Sequence, residues 1–442
     1  MKRLLLLTLS LMLIAVLASC GSDSNPSETT APEVTVPEET VPEETIDPLG
    51  GGVIRTEAPA TEPPAPVETD IDYSKYTPSE EKLKEYDYVK VFEAPKGNPR
   101  DIVYDYMYAM SQIKWVATKG WNTHWKNQGD FGVDITYEEG KTYYGIPYSN
   151  TKCGLSVFEN FVIDGKFTPN SEYYEELIGN HCSSSMGLAY QQIIDLPYSG
   201  GLKENQARKG LIKLAAPLEV PPSRTENNPD DWISVTVTQH NGVDKLYEAY
   251  ASLDRGDILY KMIDGSGHTR MVSKVEVYKT VAGKIIPSRS YVYCLEQTNA
   301  WADNKRESTW FIDRKYSFET LNSTNFTPFT LCIYHEEEPK IYDAYVMMKG
   351  KNTPETVKKM LAGTIESTFP INYARTTVTD KDGNIVGEAF KYDMTKTYKV
   401  NVRDMTFTLG IDKLPAGTYT FSLKVGIARG TWEIENFQFT IE

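Results

Sequence analysis

Cys182 stands in the run Gly179-Asn180-His181-Cys182-Ser183-Ser184-Ser185-Met186-Gly187. Gly and Asn favour a turn, and the small residues that follow suit a helix able to pack closely. A thiol at the start of a helix meets unpaired backbone N–H groups and the positive end of the macrodipole, which draw it toward the reactive thiolate. Those N–H groups can also hold an oxyanion. Such a nucleophile needs a base. His268 opens the alternating run His268-Thr269-Arg270-Met271-Val272, so it sits on a strand, a rigid place for an imidazole. The next strand ends in Glu296-Gln297-Thr298-Asn299, where a polar group could orient the ring and fix its tautomer. The pattern predicts nucleophilic attack on a carbonyl by Cys182, with His268 as base and Glu296 or Gln297 as orienting residue.

Other candidates are weaker. Cys153 is a rival nucleophile, but no small-residue helix follows it. Cys294 and Cys332 lie in apolar strand-like runs and are expected in the core, where free Cys is common. No CxxC pair and no HExxH motif occurs, so neither a structural zinc site nor a zincin is expected, and no cofactor is called for. His181 suits either a substrate contact or a helix cap. His124 reads as a satisfied loop histidine. Trp115, Trp121 and Trp125 fit a core or a sugar-stacking surface equally well. Arg255-Gly256-Asp257 reads as a turn entering a strand rather than an adhesive tripeptide. Asp254, Asp257 and Asp264 lack the spacing of an EF-hand, and Ser183–Ser185 lack a G-x-S-x-G elbow.

These residues must be held by elements that the hydrophobic periodicity outlines. Pro99 starts a helix in which Ile102, Val103, Tyr106, Met110 and Ile113 form one stripe. Further helices are predicted over His181–Ile194 and Asp244–Leu253. Strands are predicted over Gly267–Lys279, Ser290–Thr298, Trp310–Ile312 and Phe329–Tyr334. From Glu336 onward six strand-like segments, Ile341–Met348, Ile371–Asp380, Glu388–Tyr392, Tyr398–Leu409, Gly417–Val425 and Trp432–Ile441, suggest an Ig-like β-sandwich. One helix, Pro354–Ala362, interrupts them. Residues 73–98 read as a lead-in of short helix and strand.

The N-terminus reads as an address. Residues 1–20 have a basic start, an apolar run too short to span a membrane, and Leu17-Ala18-Ser19-Cys20, which looks like a bacterial lipobox with Cys20 as the lipidated residue. Residues 21–72 hold nine prolines, thirteen acidic residues and one base, Arg55, with the near-repeat VPEETVPEET. Proline blocks regular pairing and like charges repel, so this stretch is expected to be a disordered linker. Extended at about 3.1 Å per residue it would reach on the order of 160 Å, a cell-wall length of the Gram-positive type. The chain's net charge of −15 therefore lies mostly on a tether. It also argues against nucleic acid as a partner.

The ordered set of motifs resembles the NlpC/P60 and CHAP branches of the papain-like fold. Tyr144-Gly145-Ile146-Pro147-Tyr148 looks like the family's G-x-P-Y segment, and His181-Cys182-Ser183-Ser184 like its D-C-S-G nucleophile turn. Gly256-Asp257-Ile258-Leu259 and Gly267-His268-Thr269 look like its G-D and G-H strand starts, and Leu295-Glu296-Gln297-Thr298-Asn299 is similar to the CHAP ending. The resemblance implies an α+β papain-like domain over residues 73–335, followed by the sandwich over 336–442. It further implies a cysteine peptidase or amidase acting on peptidoglycan or related peptides, with Tyr148 and His181 beside the substrate. His181 and Ser184 replace the family's Asp and Gly. That departure favours an alternative, a catalytically inactive lipoprotein on the same scaffold that binds cell wall or glycan.

Overall fold

The computed structural model describes residues 76–126, 135–196, 211–221, 234–263, 266–392 and 397–442. The leader, Cys20 and the acidic tether lie outside the described residues, as does Asp264. No helix among the described residues is long and apolar enough to cross a membrane.

The chain is α+β, with several antiparallel sheets. Its elements run α1 (Glu80–Leu83), β1 (Tyr88–Phe92), α2 (Pro99–Gln112), β2 (Lys114–Ala117), β3 (Trp121–Thr123), β4 (Ile135–Tyr137), β5 (Thr142–Tyr144), α3 (Leu155–Glu159), β6 (Val162–Ile163), β7 (Lys166–Phe167) and α4 (Cys182–Tyr190). They continue as β8 (Ile212–Leu214), α5 (Ser234–Asn241), α6 (Val243–Ser252), β9 (Ile258–Ile263), β10 (Ser266–Glu276), β11 (Tyr291–Gln297), β12 (Trp310–Ser317), α7 (Phe318–Ser323) and β13 (Thr327–Leu331). The last part holds β14 (Ala344–Lys349), α8 (Pro354–Lys359), β15 (Thr364–Ser367), β16 (Ile371–Thr379), β17 (Ile385–Tyr392), β18 (Lys399–Asn401), α9 (Thr406–Leu409), β19 (Gly417–Ile427) and β20 (Gly430–Ile441).

The helix α2 starts as its sequence directs. The Asn98 side chain accepts from the Arg100 amide at 2.9 Å, and Pro99 takes the first helical position, where its missing N–H is no loss. Its buried stripe of Val103, Met107 and Met110 packs with α4 against a six-stranded sheet ordered β12-β11-β10-β9-β13-β8. Trp115 and Trp121, which suited a core or a sugar-stacking surface equally, lie on β2 and β3 and are 1% and 7% exposed. They pack on Tyr137, Tyr143 and Phe167, which makes them core and leaves no stacking surface for a sugar.

Register assigns the sheet's two faces. In the β9–β10 hairpin, Lys261 pairs with His268, Tyr260 with Thr269, Leu259 with Arg270 and Ile258 with Met271. Side chains alternate along a strand and cross-strand partners share a face. Ile258, Tyr260, Met271 and Leu295 therefore join Met186, Ala189 and Tyr190 of α4 in one core. Leu259, Val272 and Cys294 join Leu246 and Tyr250 of α6 and Phe318 of α7 in another, on the opposite face.

The second half is a sandwich of two four-stranded sheets, β1-β14-β15-β18 and β17-β16-β19-β20, closed over a third core. Three expectations are corrected here. The lead-in strand β1 does not belong with residues 93–335; it pairs antiparallel with β14, Tyr88 opposite Met348 and Phe92 opposite Ala344. The strand expected over Tyr398–Leu409 is only β18, after which the chain turns helical. Asn401 caps a 3-10 turn by accepting from the Arg403 amide, and Val402, Met405 and Leu409 bury at spacings of three and four. Likewise Phe329–Tyr334 is strand only to Leu331, and Cys332 begins a 3-10 turn.

Gly145 joins these layers. It holds φ +80°, and a Cβ there would fall 2.3 Å from Trp310 Cδ1. Its carbonyl accepts from the Trp115 indole at 2.9 Å, and Trp310 is itself buried and donates to the Ile146 carbonyl. Gly145→Ala should therefore lose roughly 3 kcal/mol by urea denaturation, from left-handed backbone strain plus overpacking. An unchanged midpoint would show that this seam yields.

Candidate functional site

The helix α4 begins at Cys182, as the small-residue run implies, and all nine of its residues are buried. Serines and Gly187 in place of larger side chains let the helix lie close to both α2 and the sheet. His181 is its N-cap. The Ser184 amide points at His181 Nδ1 at 3.4 Å, Ser183 Oγ lies 3.3 Å from the same nitrogen, and Ser184 Oγ accepts from the His181 amide at 2.9 Å. A ring nitrogen that accepts cannot carry a proton, so Nε2 holds the hydrogen and donates to Asn150 Oδ1 at 3.1 Å. Burial, with nearby Lys152 adding to it, pushes the His181 pKa down to about 3. Cys182 is 1% exposed. Of the first-turn amides that an oxyanion would need, those of His181 and Ser184 are taken by the cap itself.

The G-x-P-Y segment reaches this turn. Asn180 donates to the Pro147 carbonyl and receives the Ser149 amide, which brings Tyr148 alongside Asn180. Gly179 is required there, because a Cβ would sit 2.3 Å from the Pro147 oxygen. Tyr148 is buried and stacks on Tyr174 at 5.6 Å. Gln297 belongs to the same side, donating to the Ile146 carbonyl at 2.8 Å. Cys182, His181, Tyr148 and Gln297 are thus gathered on one face of the sheet.

His268 and Glu296 are on the other. Thr269 and Met271 point to α4, Thr269 Oγ1 lying 2.9 Å from Met186 Sδ, so alternation turns His268 and Arg270 away from it. The expected pairing of His268 as base with Cys182 as nucleophile is not what this sheet builds, because a strand residue one position off faces the opposite layer. The expected orienting contact does form. His268 Nε2 lies 2.5 Å from Glu296 Oε2, which also accepts from Arg270 Nε at 2.8 Å. The other carboxylate oxygen accepts from Arg314 Nη1 at 3.2 Å and from the Tyr316 hydroxyl. Glu296 is fully buried. Burial opposes its charge, but Arg270, His268 and Tyr316 outweigh that and hold the carboxyl well below the usual range. His268 goes down as well, chiefly through burial and against the pull of Glu296, with Arg270 and Lys261 adding to the lowering. Two guanidiniums already match the single carboxylate, so a third cation there is disfavoured.

Arg270, Arg314 and Tyr316 escaped the sequence reading. The signal was present: Arg270 follows His268 by two on β10, and Tyr316 follows Arg314 by two on β12, across β11 from it, so each pair shares a face. The Arg270 guanidinium lies between the rings of Tyr316 and Phe326, at 3.7 and 3.9 Å. This arrangement can fix a neutral, oriented imidazole; the thiol nearest in strand order, Cys294, is fully buried and pushed well up by burial.

The remaining candidates are structural. Cys153 is buried, its thiol likewise raised by burial. Asp257 is 2% exposed and paired with Arg100 at 2.9 Å, and Arg255 pairs with Asp101 and Asp105, so the Arg-Gly-Asp tripeptide is a turn with its carboxylate inside. Among the described residues no group of three or more His, Cys, Asp or Glu could hold a metal ion. A cavity of about 270 Å³ lies at the seam of the two halves, between Ile193, Asp195, Leu211 and Tyr342, Phe369, away from the first turn of α4.

No family model matches the chain, and no curated protein matches it. Among solved structures, a tetra-tandem repeat in the extending region of a large adhesion protein is similar over 42% of this chain and 41% of its own, at 14% identity and a TM-score of 0.16. A likeness at that score carries no argument about fold or function.

The His181 cap makes a pH prediction. Its folded pKa, about 3, lies below the ordinary 6.5, so stability is complete above pH 6.5 and is lost as pH falls from there toward 3. At pH 5 the loss is roughly 2 kcal/mol, at 1.36 kcal/mol per unit. His181→Asn keeps a capping oxygen without a titrating ring. Between pH 7.5 and 5 the native chain should lose about 2 kcal/mol more than this variant in urea titrations. Parallel curves would show that the ring is not held neutral.

Proposed function

We propose that this chain is a surface lipoprotein whose papain-like scaffold has lost its chemistry, and which serves to bind cell wall or glycan rather than to cleave it. The observation that supports this most is the division of the candidate residues between two faces of one sheet. The buried Cys182 thiol lies with Tyr148, His181 and Gln297, while His268 is committed to Glu296 on the other side. His181, where an NlpC/P60 domain has Asp, spends its ring on capping α4. The element order still supports descent from that scaffold: a helix headed by the thiol, then G-D and G-H strands in an antiparallel sheet. In this reading residues 1–20 direct lipidation at Cys20 on the outer face of the membrane, and residues 21–72 carry the folded part into the wall.

Two measurements on the intact chain separate binding from hydrolysis. Maleimide labelling of Cys182 near neutral pH should run at least about 100-fold slower in the native chain than in urea, as befits a buried thiol. Incubation with insoluble peptidoglycan should bring the chain down with the wall and release no new amino groups. Release of amines that Cys182→Ala abolishes would overturn the proposal in favour of a cysteine amidase. Failure to sediment with the wall would remove the binding role.

A further inference from the structure

The edge of the C-terminal sandwich beside β14 has the construction of a site for an extended peptide. Five residues of β1 form a continuous antiparallel ladder on it, from Tyr88–Met348 to Phe92–Ala344. Both ends are pinned by polar contacts with the sandwich. Asp87 donates its amide to the Met348 carbonyl at 2.9 Å and receives the Gly350 amide on its carboxylate at 2.7 Å. At the far end the Ala94 amide donates to Asp343 Oδ1 at 2.7 Å.

Two side chains on the inward face fill prepared places. Tyr88 meets the Trp432 ring edge-on at 6.5 Å, and Phe92 lies over Gly430. That glycine has φ +156°, and a Cβ on it would stand 2.7 Å from the Phe92 ring, so the space is kept open by the absence of a side chain. Upstream, the Tyr86 hydroxyl donates to Glu366 at 2.5 Å, and Glu85 pairs with Lys349 at 3.3 Å. Every one of these partners belongs to residues 343–432. None belongs to the α+β half, which the upstream segment meets through the Tyr76 hydroxyl donating to Asp195 at 3.1 Å.

We propose that this edge is a strand-acceptor site, specific for an extended segment with aromatic side chains at positions i and i+4, and that residues 85–94 occupy it as an intramolecular ligand. Backbone pairing supplies the attachment, and the Trp432 and Gly430 places supply the selection. The consequence is a join that does not depend on the covalent link at 93–98. The segment that precedes β1 is thereby fastened to the sandwich at residues 85–94 whether or not that link is intact.

The test uses the full chain with a specific protease site replacing Lys96–Gly97. After cutting, the N-terminal fragment should stay with the body through gel filtration, and a labelled synthetic peptide of residues 84–94 should exchange into the site only slowly. Gly430→Val, which closes the Phe92 place, should speed fragment loss at least tenfold, with the circular dichroism of the uncut variant showing whether the sandwich is still folded. Fragment loss from the cut native chain, with or without unfolding of the body, would overturn the proposal. So would retention equal to the native in a folded Gly430→Val chain.

Discussion

The six-stranded sheet is covered on both sides, by α2 and α4 on one and by α6 and α7 on the other. Under that constraint each residue of β9, and of β10 up to its bulge at Val272–Lys274, has two possible neighbourhoods, and the pleat assigns them in alternation. The position of each chemical group follows. Thr269 and Met271 must meet α4; His268 and Arg270 must meet the layer that holds Phe326. A nucleophile at the head of α4 is served by the positions of Thr269 and Met271 and not by those of His268 and Arg270.

That alternation also explains what the sequence disclosed and what it withheld. The starts of α2 and α4 were legible because Asn98-Pro99 and Gly179-Asn180-His181 are local signals acting on the next few residues. The strands β10 and β11 were legible from their period of two. Their facing was not, since a period of two is the same pattern whichever face is inward, and only the register of the β9–β10 hairpin decides it. The His268–Glu296 contact was within reach because it joins neighbouring strands. The distance between Cys182 and His268 along the chain offered no such handle. The turn at Val402–Leu409 was misread because residues spaced at three and four can pass for an imperfect alternation in a segment this short. The place of β1 was beyond a local reading altogether, as its partner is β14.

The buried charges are arranged on one theme. Glu296 and Asp257 are each enclosed and each matched by arginine, Glu296 by Arg270 and Arg314, Asp257 by Arg100. An isolated buried carboxylate would be strongly unfavourable, and a paired one is tolerated when its remaining lone pairs are also met. Thr330 completes Asp257 and Tyr316 completes Glu296. Histidines placed in such surroundings are kept neutral: His335, beside Lys213 and Arg100, is pushed down to about 4, mainly by burial. The imidazoles of His181, His268 and His335 serve as polar fillers of fixed tautomer rather than as titrating groups near neutrality.

The pairing of β1 with β14 has a consequence for how the molecule is assembled. Seen from the sandwich, everything from residue 93 to residue 343 is the loop of a single β-hairpin whose arms are Tyr88–Phe92 and Ala344–Lys349. A chain made from its N-terminus therefore produces one arm long before the other exists. Most of the α+β half is made in the interval, though its main core still lacks Tyr373, while β1 has to wait, and closing so long a loop is slow even though the entropic penalty rises only logarithmically with length. During that wait the strand is an unpaired edge. Its short length and the Lys90 at its centre are the features that discourage a wrong partner. Closure of the sandwich joins one of the earliest strands of the chain to one of its later ones.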